Sequence, residues 1–134
     1  MKKHTGVRGD NPLTEEHNCN HVYLRYNITQ ETIREEDGTE RTGYVWDEWV
    51  LTTNEFSMIR QGILPYNAAW DEVLRGVERG YLYDNADKFC MKYSTYAKDD
   101  TKLAQWTQYK ADVHNTVSQA GYPKEVVYPT KPAE

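Results

Sequence analysis

An Asp-Gly step at residues 37 and 38, flanked on both sides by alternating apolar and polar residues, constrains how this chain folds more than any other local feature. Asp-Gly at the centre of a two-residue loop favours the turn whose central residues take positive φ, and that turn matches the twist of the strands it joins. Upstream, Val22, Leu24, Tyr26 and Ile28 alternate with Tyr23, Arg25, Asn27 and Thr29; downstream, the run from Tyr44 to Leu51 alternates likewise. Period two is the mark of a half-buried strand. With Glu36 paired to Thr39, the register sets Ile28 opposite Asp47, Tyr26 opposite Trp49 and Leu24 opposite Leu51. One face then collects Val22, Leu24, Tyr26, Ile28, Val45, Trp49 and Leu51, with Asp47 as the exception. The other carries Tyr23, Arg25, Glu31, Tyr44, Trp46 and Glu48, and so presents rings to water. A one-residue bulge would exchange the faces of one strand, so this division holds for an unbroken ladder.

Helices follow the hairpin. Thr52 with Glu55 three residues on has the form of a capping box, and Phe56 and Ile59 face one way before Gly62 ends a short helix. Pro65 breaks the chain. Asn67 then caps a second helix with Trp70, Val73, Leu74 and Val77 on one face, Asp71 and Glu72 near its start and Arg79-Gly80 at its end. A third runs from about Asn85 to Ala97 with Phe89, Cys90 and Tyr93 inward, and Asp99, Asp100 and Thr101 lead into the last, from Lys102 to Ala120. In that final helix Leu103, Trp106, Tyr109, Val113 and Val117 fall within about a third of the circumference, the width of a buried stripe. Beyond Gly121 lies an extended apolar arm, Tyr122-Pro123 and Val126-Val127-Tyr128-Pro129, suited to a sheet edge or a groove.

These elements give an α+β fold: an N-terminal antiparallel hairpin or small sheet packed on three to four helices, with an extended C-terminal arm. Residues 1–20 are polar, aperiodic and interrupted by Gly6, Gly9 and Pro12, the profile of a flexible or docking arm. Residues 21–121 form the domain and 122–134 the tail. A chain of 134 residues fits one domain with a modest core.

The formal charge of −5 argues against nucleic-acid binding, which needs a basic patch to neutralise phosphates. No stretch approaches the roughly 18 apolar residues of a membrane span, and Met1-Lys2-Lys3-His4 lacks the apolar centre of a signal peptide. The reading is a soluble, cytoplasmic protein. Cys19 and Cys90 form no CxxC spacing, so neither a disulfide scaffold nor a zinc ribbon is indicated, and both are read as free thiols.

His17, Cys19 and His21 alternate and would project from one side of an extended chain, each a competent zinc or copper ligand. Three ligands from one strand converge poorly, however, and no fourth is identified; the plainer reading is an arm that happens to include two imidazoles, with no metal and no cofactor. Arg8-Gly9-Asp10 matches an integrin-binding tripeptide and Asn27-Ile28-Thr29 a glycosylation acceptor, both without force in a chain that is not secreted. Glu31, Asp47 or Glu48 beside Trp46 and Trp49 would be the carboxylates and sugar platforms of a glycosidase. With 21 acidic residues, neighbouring carboxylates are nearly unavoidable, and a hairpin surface offers no cleft to raise one pKa. His114 has no Ser or Cys in nucleophile context. No enzyme is expected.

The order Leu103-Ala104-Gln105-Trp106-Thr107-Gln108-Tyr109-Lys110, then Val113, Thr116, Tyr122-Pro123 and Val126-Val127-Tyr128-Pro129, resembles the C-terminal signature of phage tail-fibre assembly proteins and related tail-assembly chaperones. Gly43-Tyr44-Val45-Trp46-Asp47-Glu48 is also similar to small proteins encoded near phage tail and baseplate genes. The resemblance covers about a quarter of the chain and lacks the family's N-terminal fibre-like segment. It implies a non-enzymatic protein acting in the host cytoplasm during assembly, or retained in the virion, with another phage structural protein or a further copy of itself as partner. Tyr and Trp dominate interface hot spots, so Tyr44, Trp46, Tyr122 and Tyr128 are the expected contacts, with Trp106 positioning the helix. The alternative is a carbohydrate-binding module stacking sugars on Trp46 and Tyr44.

Overall fold

The computed structural model describes residues 2–64 and 72–134. Among them the chain is α+β, with strands β1 (Lys2–Arg8), β2 (Glu15–His17), β3 (His21–Arg34) and β4 (Glu40–Thr52) and helices α1 (Thr53–Gln61), α2 (Glu72–Ser94) and α3 (Asp100–His114). A 3-10 turn, Asn115–Ser118, follows α3. The chain divides into two units, Met1–Ser57 and Met58–Glu134.

In the first unit the strands form one antiparallel sheet of order β1-β4-β3-β2. Residues 1–20, read from sequence as a flexible or docking arm, thus supply both outer strands of the chain's own sheet. The hairpin forms, but its loop has three residues rather than two: Glu35 N donates to Thr39 O at 2.8 Å, Gly38 N to Glu35 O at 3.0 Å, and Gly38 takes the left-handed φ of 87°. Asp37 accepts from both Thr39 N and Thr39 Oγ1, at 2.9 and 2.6 Å, which favours this loop over the tighter one. A second shift comes at Asn27-Ile28, which together oppose Trp46 in a bulge with Asn27 at φ 52°. Asn tolerates that conformation. Together the two shifts pair Leu24 with Trp49 and Val22 with Leu51. Before the bulge that is two residues from the expected register, and an even slip leaves Val22, Leu24 and Tyr26 on their expected face; from Thr29 to Arg34 the slip is one, so Glu31, paired with Gly43, changes face. Val22, Leu24, Trp49 and Leu51 are accordingly buried. Asp47, the polar exception, takes hydrogen bonds from Asn27 Nδ2 at 3.2 Å and Thr5 Oγ1 at 3.3 Å.

The capping box is present, with Glu55 N on Thr52 Oγ1 at 3.2 Å and Thr52 N on Glu55 Oε1 at 2.9 Å. Gly62, at φ 70°, closes α1: its N–H reaches Ile59 O and that of Ile63 reaches Met58 O. The expected break at Pro65, cap at Asn67 and face residue Trp70, with Asp71, lie outside the described residues.

In the second unit α2 is a single helix through Gly80, where the sequence reading ends one helix and begins another at Asn85. Leu74, Glu78, Leu82, Ala86 and Tyr93 lie along one buried stripe, so burial on both sides of Gly80 outweighs the roughly 1 kcal/mol that a helical glycine costs. α3 is N-capped by Asp99, whose carboxylate accepts from Lys102 N at 3.0 Å, and it ends at His114 rather than Ala120. The tighter 3-10 turn then rotates the stripe, burying Thr116 and leaving Val117 43% exposed, whereas an unbroken helix would have kept Val117 inward. Leu82, Ala86, Tyr93, Trp106, Tyr109 and Val113 form the core, with Phe89 stacked on Trp106 at 4.3 Å.

Candidate interaction site

Tight packing accounts for the expected contact residues. Trp46, read as a ring facing water, is 4% exposed. Glycine at position 6 of the neighbouring β1 makes room for it, since a Cβ there would lie 2.5 Å from the indole. The Arg25 guanidinium lies 5.5 Å from the Trp46 ring and 5.3 Å from that of Tyr23. Arg25 donates to Glu16 Oε2 at 2.9 Å, Glu48 Oε1 at 3.2 Å and Leu13 O at 3.1 Å, while the Trp46 indole donates to Glu48 Oε1 at 2.7 Å. Burial opposes the Arg25 charge, but hydrogen bonds and charge from Glu16 and Glu48 more than offset it, so its pKa is raised. This face is a clamp holding the segment before β3 onto the sheet. Tyr44 is half-buried.

Trp106 is fully buried, so it anchors the core. Tyr122 and Tyr128 are half-buried and bind their own unit: Arg79 donates to Tyr122 Oη at 3.1 Å, and Tyr128 Oη donates to Glu78 Oε1 at 2.7 Å. The tail is seated on an ion pair that sequence reasoning missed. Arg75 and Glu78 are 1% and 0% exposed and meet at 2.9 Å. Arg75 also donates to Pro123 O at 2.7 Å, Lys124 O at 2.9 Å and Leu64 O at 3.2 Å, and Glu78 accepts from Leu64 N at 3.0 Å. The Gln119 amide grips both backbone groups of Val127. Burial first, and then the charge and hydrogen bond of Glu78, push the Tyr128 phenol well above its ordinary range. The signal for this junction was a charge set on the apolar stripe of α2.

His17, Cys19 and His21 do not share one side of an extended strand, because Asn18 turns the chain between β2 and β3, its Oδ1 accepting from Asn20 N and His21 N. His17 contacts Glu15 at 2.9 Å and the edge of Phe56. Among the described residues no three His, Cys, Asp or Glu side chains are grouped to hold a metal ion. Hollows of about 370, 540 and 430 Å3 open on the second unit. The first is lined by Tyr83, Lys110 and His114, and Lys110 is already paired with Asp87 at 2.6 Å, which raises its pKa. No described helix is long and apolar enough to cross a membrane.

One feature stands apart from this packing. β1 pairs with β4 only up to Tyr44, and β2 pairs with β3 only from Val22 to Leu24. Residues 29–42 therefore continue as a two-stranded ribbon beyond both flanking strands. Nearly all its side chains are exposed, Ile33 being half-buried. Arg34 pairs with Glu40 at 3.0 Å and Arg41 with Glu35, joining the strands across the ladder. The sequence signal was present but unused: after Ile28, Gln30, Glu31 and Thr32 are polar on both faces.

No protein-family model matches this chain, and no match emerges among curated proteins or solved structures.

Proposed function

We propose that this chain is a non-enzymatic phage protein that binds another virion protein, a tail-fibre or baseplate component, in the host cytoplasm during assembly, and that the β3–β4 ribbon is the part that binds. The phage assignment draws on the resemblance carried by Leu103 to Pro129. The ribbon carries the binding assignment. A two-stranded hairpin without a covered face is marginally stable in water, so such a ribbon gains from a surface to lie on. Its outer backbone edges add a second reason, since unpaired N–H and C=O groups template pairing with another chain. The buried ionisable groups described here, Arg25, Arg75 and Glu78, are committed to bonds within the fold, which favours a binding protein over a catalyst.

The carbohydrate reading loses its platform, because Trp46 faces Arg25 and β1 instead of solvent. Co-purification of tagged protein with each structural protein of the particle tests the proposal. Replacing residues 31–43 by Asn-Gly, which joins the paired positions Gln30 and Tyr44, is expected to abolish capture while leaving the circular dichroism of the helices intact. Undiminished capture by the trimmed chain would refute the ribbon's role.

A further inference from the structure

We infer that the Asp37-Gly38 step at the tip of the ribbon is a site of spontaneous covalent rearrangement to isoaspartate, and that Thr39 restrains it. The inference is independent of whether the ribbon binds a partner. In this chemistry the Gly38 amide nitrogen attacks Asp37 Cγ, a new N–C bond forms, and the neutral carboxyl loses its O–H together with the amide proton as water. The five-membered imide so made takes up water at the Asp37 main-chain carbonyl. The bond from that carbon to Gly38 N then breaks, and the backbone runs through Asp37 Cβ and Cγ instead. One water leaves and one returns, so no other reagent is needed.

Sequence and exposure place the reaction here. Asp37-Gly38 is the only step in the chain at which glycine follows Asp or Asn, and a glycine nitrogen carries no side chain to crowd the attack. Residues 36–39 are all exposed, and a Cβ built on Gly38 meets nothing within 4 Å, so no other part of the fold presses on the loop. In its closed form, however, the loop occupies both reacting groups. Gly38 N donates to Glu35 O at 3.0 Å, and Asp37 Oδ1 accepts from Thr39 Oγ1 at 2.6 Å and Thr39 N at 2.9 Å. The Thr39 hydroxyl first, and then its N–H, also hold the Asp37 pKa below its ordinary value, and an ionised carboxylate resists attack because its leaving group is worse. Rearrangement therefore waits on opening of the loop. Once formed, isoaspartate lengthens the main chain by one atom inside a loop closed by the bond from Glu35 N to Thr39 O, so the tip of the ribbon cannot close as before.

Purified protein held at physiological temperature in mildly acidic buffer tests this, read by mass spectrometry of the tryptic peptide 35–41. An isomer of unchanged mass, resistant to the protease that cleaves before Asp, is expected there earlier than in any other Asp-containing peptide, preceded by a form lighter by one water. In urea, which releases the loop's hydrogen bonds, the rate should rise roughly tenfold. Thr39→Val removes the hydroxyl bond and should quicken the reaction about threefold, whereas Thr39→Ser keeps the hydroxyl and should stay in the wild-type range. Asp37→Glu, whose ring closure would be six-membered, should give no isomer. Earlier rearrangement at another Asp, no isomer at residues 35–41 in the folded protein, an isomer there in Asp37→Glu, or a Thr39→Val rate no faster than wild type overturns the inference.

Discussion

Removing Arg75 is the sharpest test of how the tail is held. Its guanidinium is 1% exposed and donates to Glu78 and to the carbonyls of Leu64, Pro123 and Lys124. Arg75→Ala leaves the fully buried Glu78 carboxylate with Leu64 N and Tyr128 Oη as its donors among the described residues, and removes a donor from three carbonyls. Breaking a buried pair from one side costs about 3–5 kcal/mol, a large share of the 5–15 kcal/mol that typically separates native from unfolded chains. Glu78→Gln retains an acceptor and is expected to cost about 1–3 kcal/mol. Arg75→Leu with Glu78→Leu removes both charges, so its cost should fall about 2 kcal/mol short of the summed costs of Arg75→Leu and Glu78→Leu made singly. Urea unfolding followed by far-ultraviolet circular dichroism gives these values. Hydrogen exchange at the amides of Leu64 and Val127 localises the effect, since each is held by a side chain at or beside the junction. A cost below about 1 kcal/mol for Arg75→Ala, or strict additivity in the double variant, would refute a sequestered pair.

Two further perturbations follow from the same packing. Tyr128 has its phenol pKa raised by burial and then by Glu78, so its contribution is fully present below the unfolded value near 10 and is lost as pH climbs above it. Stability should drop above about pH 10, and Tyr128→Phe, costing about 1.5–3 kcal/mol at neutral pH, should flatten that slope, with the residue due to Tyr109, whose pKa burial also raises. A Tyr128→Phe curve parallel to wild type would count against the junction. Gly6→Ala forces a methyl to within 2.5 Å of the Trp46 ring and is expected to destabilise by about 1–3 kcal/mol, with a shift in tryptophan emission. An unchanged urea midpoint would contradict the close approach of β1.

What could be read from sequence was local. The hairpin, the Thr52–Glu55 capping box, the Asp99 lead-in to α3 and most of its stripe follow from spacing within a few residues, and the structure contains them. Register depended on two details of backbone chemistry, the Asp37–Thr39 hydrogen bonds and the left-handed Asn27, neither of which alters an apolar alternation. The face of Trp46 was misread for a related reason. Pattern alone identifies which side chains share a side of a sheet, but whether water reaches them depends on what returns to cover them, here Arg25 and a glycine forty residues upstream.

The candidate site shows the same limit from the other direction. Aromatic residues drew attention because they bury large area, and this is why the fold spends Trp46, Trp106 and Tyr128 on itself. The tail was read as an extended apolar arm suited to a sheet edge or a groove. Arg75 seats it on its own unit, through hydrogen bonds to two tail carbonyls that join residues nearly fifty positions apart. A charge on an apolar stripe has to find a partner, because the desolvated ion is otherwise too costly, and Glu78 four residues after Leu74 and four before Leu82 marked where such a partner had to arrive. Conversely, a strand polar on both faces gains nothing from the core, so the residues after Ile28 run on past the flanking strands with nearly all their side chains exposed.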